Sequence, residues 1–203
     1  MPRRPQELDA FLTAFGTALS ARVKDGGPEQ VMVARSLAAL ERPGEPGSDT
    51  PERLPACQHL PAVCDPRAFA APDLRAMAEA FLALEPALKW RKRGGDAPLA
   101  NAAYAEGHAN AMIAGPGGLE RRADLWLGAT LLAPHVRYPD HTHPPEETYL
   151  VMSPGQFGHG DEDWVEPGIG GTFHNTPGIV HRMASGPAPF LTFWVLWSGD
   201  TAT

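Results

Sequence analysis

A mostly β barrel or sandwich with a helical N-terminal extension is the fold class that the sequence predicts, and two changes of texture predict it. Up to about residue 90, apolar residues recur at three- and four-residue spacing, the mark of amphipathic helices. Beyond about residue 108 they come in short or alternating runs, each cut by Gly, Pro, Asp or Asn, the mark of many short strands joined by turns. With 203 residues, 43% of them hydrophobic and 20% charged, the chain can build one good-sized core. The expected division is a helical extension over residues 1–107 that packs on a β-barrel over 108–203, and the barrel carries nearly all the suggestive chemistry.

The first helix is expected over residues 5–24, where Leu8, Phe11, Leu12, Phe15, Leu19 and Val23 line one face. A second follows from about 28 to 41, opened by Pro28 and stopped by Pro43-Gly44. The stretch "RPGEPGSDTPERLPACQHLPAVCDP" has no sustained period and reads as a long connecting loop over the surface. Helical spacing resumes in "APDLRAMAEAFLALEPALKW" with Leu74, Met77, Phe81 and Leu84, and Asp73 sits in the first turn beside the positive end of the helix dipole. The strands are expected in "ANAMIAG", "ADLWLGATLLAP", "ETYLVM", "GGTFHN", "IVHRMA" and "PFLTFWVLW".

Bulk properties narrow the function. No apolar run approaches the ~20 residues needed to span a bilayer, and no apolar stretch follows the arginines of "MPRRPQELDAF", so a cytoplasmic address is expected. The net charge of -7 argues against nucleic acid, whose phosphates call for a basic face. The one tight basic cluster, "KWRKR" at 89–93, reads as a solvated surface. Cys57 and Cys64 have neither CxxC spacing nor a disulfide framework around them, and read as ordinary thiols. His59, His108 and His159 lie in polar or loop contexts and are expected at the surface. The same is expected of His135 and His174, with donation from behind a pocket as the alternative.

The chemistry concentrates in "DHTHPPEETYLVM". Zn and Fe(II) favour imidazole nitrogen with carboxylate oxygen, and a site of three or four such ligands can keep a position open for substrate. His141 and His143 are two apart and on a strand would share a side, as would Glu147 and Tyr149 after the turn. A fourth ligand should come from a distant strand, and His181 in "NTPGIVHRM" is the candidate.

"HTHPPEE" and the later "GTFHNTPGIVH" resemble the two motifs of the cupin family, HxHx3-4E and PxGxxH, over roughly residues 125 to 197. The resemblance implies a cupin barrel with metal ligands at His141, His143, Glu147 and His181. His135 stands where the motif has Gly, the Pro-Gly pair lacks its intervening residue, and Ser185 replaces the usual Asn. Together with Tyr138 upstream, the Glu-x-Tyr element and the helical first half, "RYPDHTHPPEETYLVMSPGQF" resembles the cupin-type dimethylsulfoniopropionate (DMSP) lyases of marine bacteria. That resemblance implies cleavage of DMSP to dimethyl sulfide and acrylate with one divalent transition metal, Zn, Fe(II), Mn, Co or Ni. Tyr149 would be the general base, lowered into working range by the adjacent cation. Tyr138 would orient substrate or assist the proton transfer, and Trp126, Trp194 and Trp197 are candidate rings for the sulfonium.

The main rival is an Fe(II) cupin dioxygenase acting on a small carboxylate or thiol substrate, in which Tyr149 is only a donor behind the ligands. A sugar or keto-acid isomerase would want a more polar pocket. A regulatory cupin would bring a DNA-reading helix pair and a basic face, which residues 1 to 90 lack. The expected partner is therefore a small molecule, with no nucleic acid and no membrane; the helical part covers one end of the barrel or makes a homodimer.

Overall fold

The computed structural model describes residues 4–199 of the protein. Helices α1 (Gln6–Ser20), α2 (Glu29–Leu40) and α4 (Pro72–Leu84) fall where apolar spacing places them, with the short α3 (Leu60–Val63) and α5 (Tyr104–Gly107) between and after. Among the described residues ten strands follow the chain: β1 (Glu45–Pro46), β2 (Trp90–Arg91), β3 (His108–Ala114), β4 (Glu120–Arg121), β5 (Leu125–Leu132), β6 (Glu146–Val151), β7 (Gln156–His159), β8 (Thr172–Asn175), β9 (His181–Ala184) and β10 (Phe190–Trp197). The larger sheet runs β1-β4-β3-β5-β10-β6-β8, with β2 also on β3, and β7 pairs β9 in a separate two-stranded sheet.

Two helices stop earlier than expected. α1 ends at Ser20 because the amides of both Arg22 and Val23 turn back to the Leu19 carbonyl, which lets the Arg22 guanidinium pair with Asp73 at the start of α4. The acidic residue thus serves a tertiary ion pair as well as the helix end. α4 ends at Leu84 because Pro86 has no N–H to continue the ladder, and a 3-10 turn over Glu85–Ala87 leads into β2.

The Pro-rich stretch runs exposed and largely irregular up to about residue 54, as expected, but its second half is not a surface loop. Pro55 and Pro61 stand in the first turns of a 3-10 helix (Pro55–His59) and of α3, where a missing N–H is harmless. These turns bury Ala56, Cys57, Leu60, Val63 and Cys64. Both thiols are free, and burial pushes that of Cys64 up to about 12.

Alternation along the central strands separates two faces of the larger sheet. One set, including Ala111, Leu127, Ala129, Phe193 and Val195, packs under the helices. Phe193 is the hub, with ring centroids 5.3 Å from Phe11, 6.4 Å from Phe15 and 4.8 Å from Phe81. Full burial of such rings stabilises by about 1.5–3 kcal/mol each. The opposite set faces β7 and β9 across a second core containing Tyr138, Tyr149, Val151, Phe157, Met183 and Phe190. The barrel interior lies between these layers, and the residues of the "HTH" string reach it from its rim.

Candidate active site

A cavity of about 250 Å³ opens in the barrel interior. β3 supplies Asn110 and Met112 to its wall, β5 Trp126 and Thr130, β6 Glu147 and Tyr149, β9 Met183, and β10 Trp194 and Leu196. Every contribution from one strand is separated by an even number of residues, as the pleat requires. Its size suits a small metabolite, since sites for drug-sized ligands run from ~300 Å³ upward. Trp194 lies across the sheet because its register partner is Gly128: a Cβ there would meet the indole at 2.3 Å.

His141 and His143 are not on a regular strand. They lie in the segment between β5 and β6, where His141 makes a single bridge to His181, the first residue of β9. The convergence survives without the strand: one ring nitrogen from each of His141, His143 and His181 lies within 4.8 Å of the others. Glu147 joins two of them, its Oε2 being 3.2 Å from His143 Nε2 and 3.3 Å from His181 Nε2.

The tautomers follow from the partners on the far side of each ring. The Nδ1 atoms of His141, His143 and His181 lie 2.9, 2.8 and 3.1 Å from the carbonyls of Pro139, Pro145 and Ile179. A carbonyl only accepts, so each Nδ1 carries a hydrogen and each neutral ring turns its Nε2 lone pair inward. Among the described residues the buried His181 Nε2 makes no hydrogen bond. Three inward lone pairs beside a carboxylate are a donor set for a cation, and these four residues fit a divalent transition metal.

Electrostatics agree. Burial, with His181 beside it, lowers the His141 pKa to about 3, so that ring is neutral and ready to ligate. Burial would also lower His143, but its hydrogen bond and charge contact with Glu147 win, and its pKa rises. Burial opposes ionisation of Glu147, yet the facing imidazoles hold its pKa down to about 2. The Glu147 carboxylate is therefore ionised and faces the imidazoles as an anion.

Asn175, wholly buried on β8, donates from Nδ2 to Glu147 Oε2 at 2.8 Å, while its Oδ1 faces His159 Nε2 at 2.9 Å. His159 is therefore half-buried behind the site, and is not the free surface residue its context suggests. His108 also departs from expectation: it is buried, its ring stacks on Tyr104 at 3.8 Å, and its Nε2 accepts from the Arg93 amide at 2.9 Å. His174 is on β8, facing Thr148 Oγ1 at 3.0 Å and Glu146, away from the cavity. His135 is exposed in a turn with φ of 59°, a left-handed conformation that explains the Gly of the motif at this position.

Tyr138 and Tyr149 both reach the cavity and are both buried. Burial raises both phenols, Tyr149 well above the ordinary tyrosine range, with the Glu147 charge adding to it. Trp126 and Trp194 line the cavity, whereas Trp197, one residue out of phase, faces the helical layer under the Arg35 guanidinium. The basic cluster at 89–93 is not uniformly solvated. Trp90 is buried with its Nε1 on Glu85, and Arg93 lines the cavity mouth. Asn110, Thr130, Asn175 and Arg93 carried no motif that would have singled them out; only the β3 to β5 pairing and the β6 to β8 pairing bring the first three inward.

The sequence signature of the dimethylsulfoniopropionate lyase family matches residues 29–192. The chain belongs to that family. Its members are carbon–sulfur lyases, and this chain is one by that membership. A Cereibacter sphaeroides protein assigned as the dimethylsulfoniopropionate lyase DddL is 28% identical over 190 residues, covering 90% of this chain and 78% of the relative. The crystal structure of the DMSP lyase DddQ from Ruegeria pomeroyi DSS-3 superposes with a TM-score of 0.67 at 24% identity, over 94% of each chain. A chain from the crystal structures of the DMSP lyases RdDddP and RnDddQII gives 0.68 at 21% identity, over 94% of this lyase-family chain and 92% of the other. The cupin fold with its N-terminal helical region is thereby shown. Among the described residues no helix is long and apolar enough to cross a membrane.

Proposed function

We propose that this chain cleaves DMSP to dimethyl sulfide and acrylate by β-elimination, with Tyr149 as general base and with His141, His143, Glu147 and His181 holding one divalent transition metal. The observation that carries the reading is the trio of imidazoles tied back through Nδ1, a ring nitrogen of each within 4.8 Å of the others, with Glu147 against two of them beside a cavity walled by two buried tyrosines. A cation held there supplies positive charge for the substrate carboxylate and for an ionised phenol.

In the reaction the Tyr149 phenolate takes a proton from the carbon next to the carboxylate. That C–H pair becomes the new C=C bond, and the C–S pair leaves with sulfur as neutral dimethyl sulfide. Tyr149 is suited to the task because it stands two residues from Glu147 on the same side of β6. Burial opposes its ionisation in the metal-free protein, so the reading ties activity to an occupied site. In this reading the sulfonium meets Trp126 and Trp194, which line the cavity, an attraction of about 0.5–2 kcal/mol over a ring face. Tyr138 orients the carboxylate. Family membership favours this chemistry over oxygen activation by the same ligands.

The test is headspace dimethyl sulfide with acrylate in solution, from protein loaded in turn with Zn, Fe(II), Mn, Co and Ni, beside Tyr149→Phe. Sulfide from the wild type, and a loss of about 100-fold or more in the variant at unchanged metal content, is expected. No sulfide with any of the five metals would overturn the lyase reading; full activity of the variant would overturn the base.

A further inference from the structure

A chain of hydrogen bonds runs across the cavity wall through residues that no ligand motif contains. Trp194 Nε1 lies 3.1 Å from Thr130 Oγ1, Thr130 Oγ1 lies 2.6 Å from Asn110 Oδ1, and Asn110 Nδ2 lies 2.9 Å from the Tyr138 hydroxyl. All four residues line the cavity. The pairing of the strands builds the chain: Asn110 on β3 is the register partner of Thr130 on β5, and Trp194 on β10 reaches Thr130 diagonally across the space left by Gly128.

The chain begins at a group that only donates. An indole N–H only donates, so Thr130 Oγ1 accepts from it, and the Thr130 hydroxyl in turn donates to Asn110 Oδ1. The Asn110 amide stands with its oxygen toward Thr130. Its NH2 group donates to the Tyr138 oxygen, and the Tyr138 hydrogen has to go elsewhere. The Tyr104 ring stands edge-on to Tyr138 at 5.3 Å, and its phenol interacts with both Tyr138 and the Arg93 guanidinium. Arg93, like Trp194, only donates. A carboxylate entering the cavity, being charged, accepts the Tyr138 hydrogen on better terms than a neutral phenol already facing a cation does. Among the described residues Arg93 has no carboxylate partner; its Nη1 donates to the Asp96 carbonyl at 2.8 Å and the Gly94 carbonyl at 3.3 Å.

We propose that Trp194, Thr130 and Asn110 form a one-way relay that commits the Tyr138 hydroxyl to donate into the cavity, and that the acceptor it awaits is a substrate carboxylate. Asn110 and Thr130 are thus positioning residues that act through Tyr138. The proposal deepens the lyase reading by assigning the recognition of one end of the substrate, and it separates the two phenols: Tyr149 takes a proton while Tyr138 gives a hydrogen bond. As the C–H bond breaks, negative charge grows on the carboxylate, so the Tyr138 bond tightens on the way to the transition state.

The test is a double-mutant cycle on the metal-loaded protein, using Asn110→Leu, Tyr138→Phe and the pair, with DMSP turnover and calorimetric binding of propionate measured on each. Asn110→Leu should lower kcat/KM and weaken propionate by about 3- to 10-fold, one neutral hydrogen bond's share, at unchanged metal content. Tyr138→Phe should cost about 10-fold or more, because its bond is to a charged group. In the Tyr138→Phe background, Asn110→Leu should change either quantity by less than about twofold, since the residue through which it acts has lost its hydroxyl. Thr130→Val repeats the test without altering Asn110. Equal losses in both backgrounds would show Asn110 to be merely structural and overturn the relay, as would unchanged or absent propionate binding. If the wild type binds propionate with the expected coupling but releases no dimethyl sulfide, the relay stands and the lyase reading falls.

Discussion

Replacing Asn175 with Leu tests the site from behind, at a residue that touches no substrate. The side chain is wholly buried, and its Nδ2 donates to Glu147 Oε2 at 2.8 Å, so Asn175→Leu preserves volume while removing a bond to a charged group. Such bonds contribute about 1.5–3 kcal/mol. If the loss falls on the metal-bound state, that range corresponds to roughly 10- to 150-fold in affinity, which agrees with the 10- to 100-fold typical of lost support behind metal ligands. The assay is competition for Zn or Mn against a chromophoric chelator at fixed pH, with circular dichroism to show that the fold persists. In the metal-free protein the same loss should lower the melting midpoint by about 4–8 °C for roughly 2 kcal/mol in a domain of this size. A variant that binds metal within twofold of wild type, with its structure intact, would refute the claim that Asn175 fixes the carboxylate for a cation.

Three further outcomes are expected. Gly128→Ala puts a Cβ 2.3 Å from the Trp194 indole and 2.5 Å from the Ala111 carbonyl, so it should destabilise by about 1–3 kcal/mol in denaturant melts and reduce turnover by displacing the indole. Arg93→Ala removes a guanidinium from the cavity mouth and should raise KM for a carboxylate substrate about 5- to 10-fold in steady-state kinetics, with kcat little changed. The Cys64 thiol, raised by burial to about 12, stays protonated as pH climbs through the range in which an ordinary cysteine ionises; native protein at pH 9 should therefore show no rapid reaction of Cys64 with a thiol reagent, whereas denatured protein should react fully.

What the sequence made legible had a short period. The three main helices showed in the spacing of Leu8, Phe11 and Phe15 and of Leu74, Met77 and Phe81, and the central strands in runs such as "FLTFWVLW". The cluster of His141, His143 and Glu147 was legible because all three lie within seven residues, and His181 because its motif is local. Misses came where a local signal and tertiary packing disagreed. The prolines at 55 and 61 suggested a loop, yet they open short helices whose apolar residues pack inward. His108 and Arg93 looked like surface because of polar neighbours, while the pairing of β2 with β3 carries that region to the cavity. β7 was missed in a Gly-rich stretch, since its strand character rests on pairing with β9 rather than on composition. Asn110, Thr130 and Asn175 are ordinary strand residues until long-range register sets them beside Tyr138, Trp194 and Glu147.

The two-sided central sheet also shapes how this protein can change over generations. On β5 and β10, neighbouring residues answer to different masters: Ala129, Phe193 and Val195 hold the helices, while Trp126, Thr130 and Trp194 border the cavity. A lineage can thus alter every second position of these strands to admit a bulkier or differently charged molecule while the scaffold beneath remains anchored by Phe193 and its ring partners. Tolerance to substitution should therefore rise and fall with a period of two along β5 and β10 in a selection for folding, and the same strands should show the opposite phase in a selection for turnover.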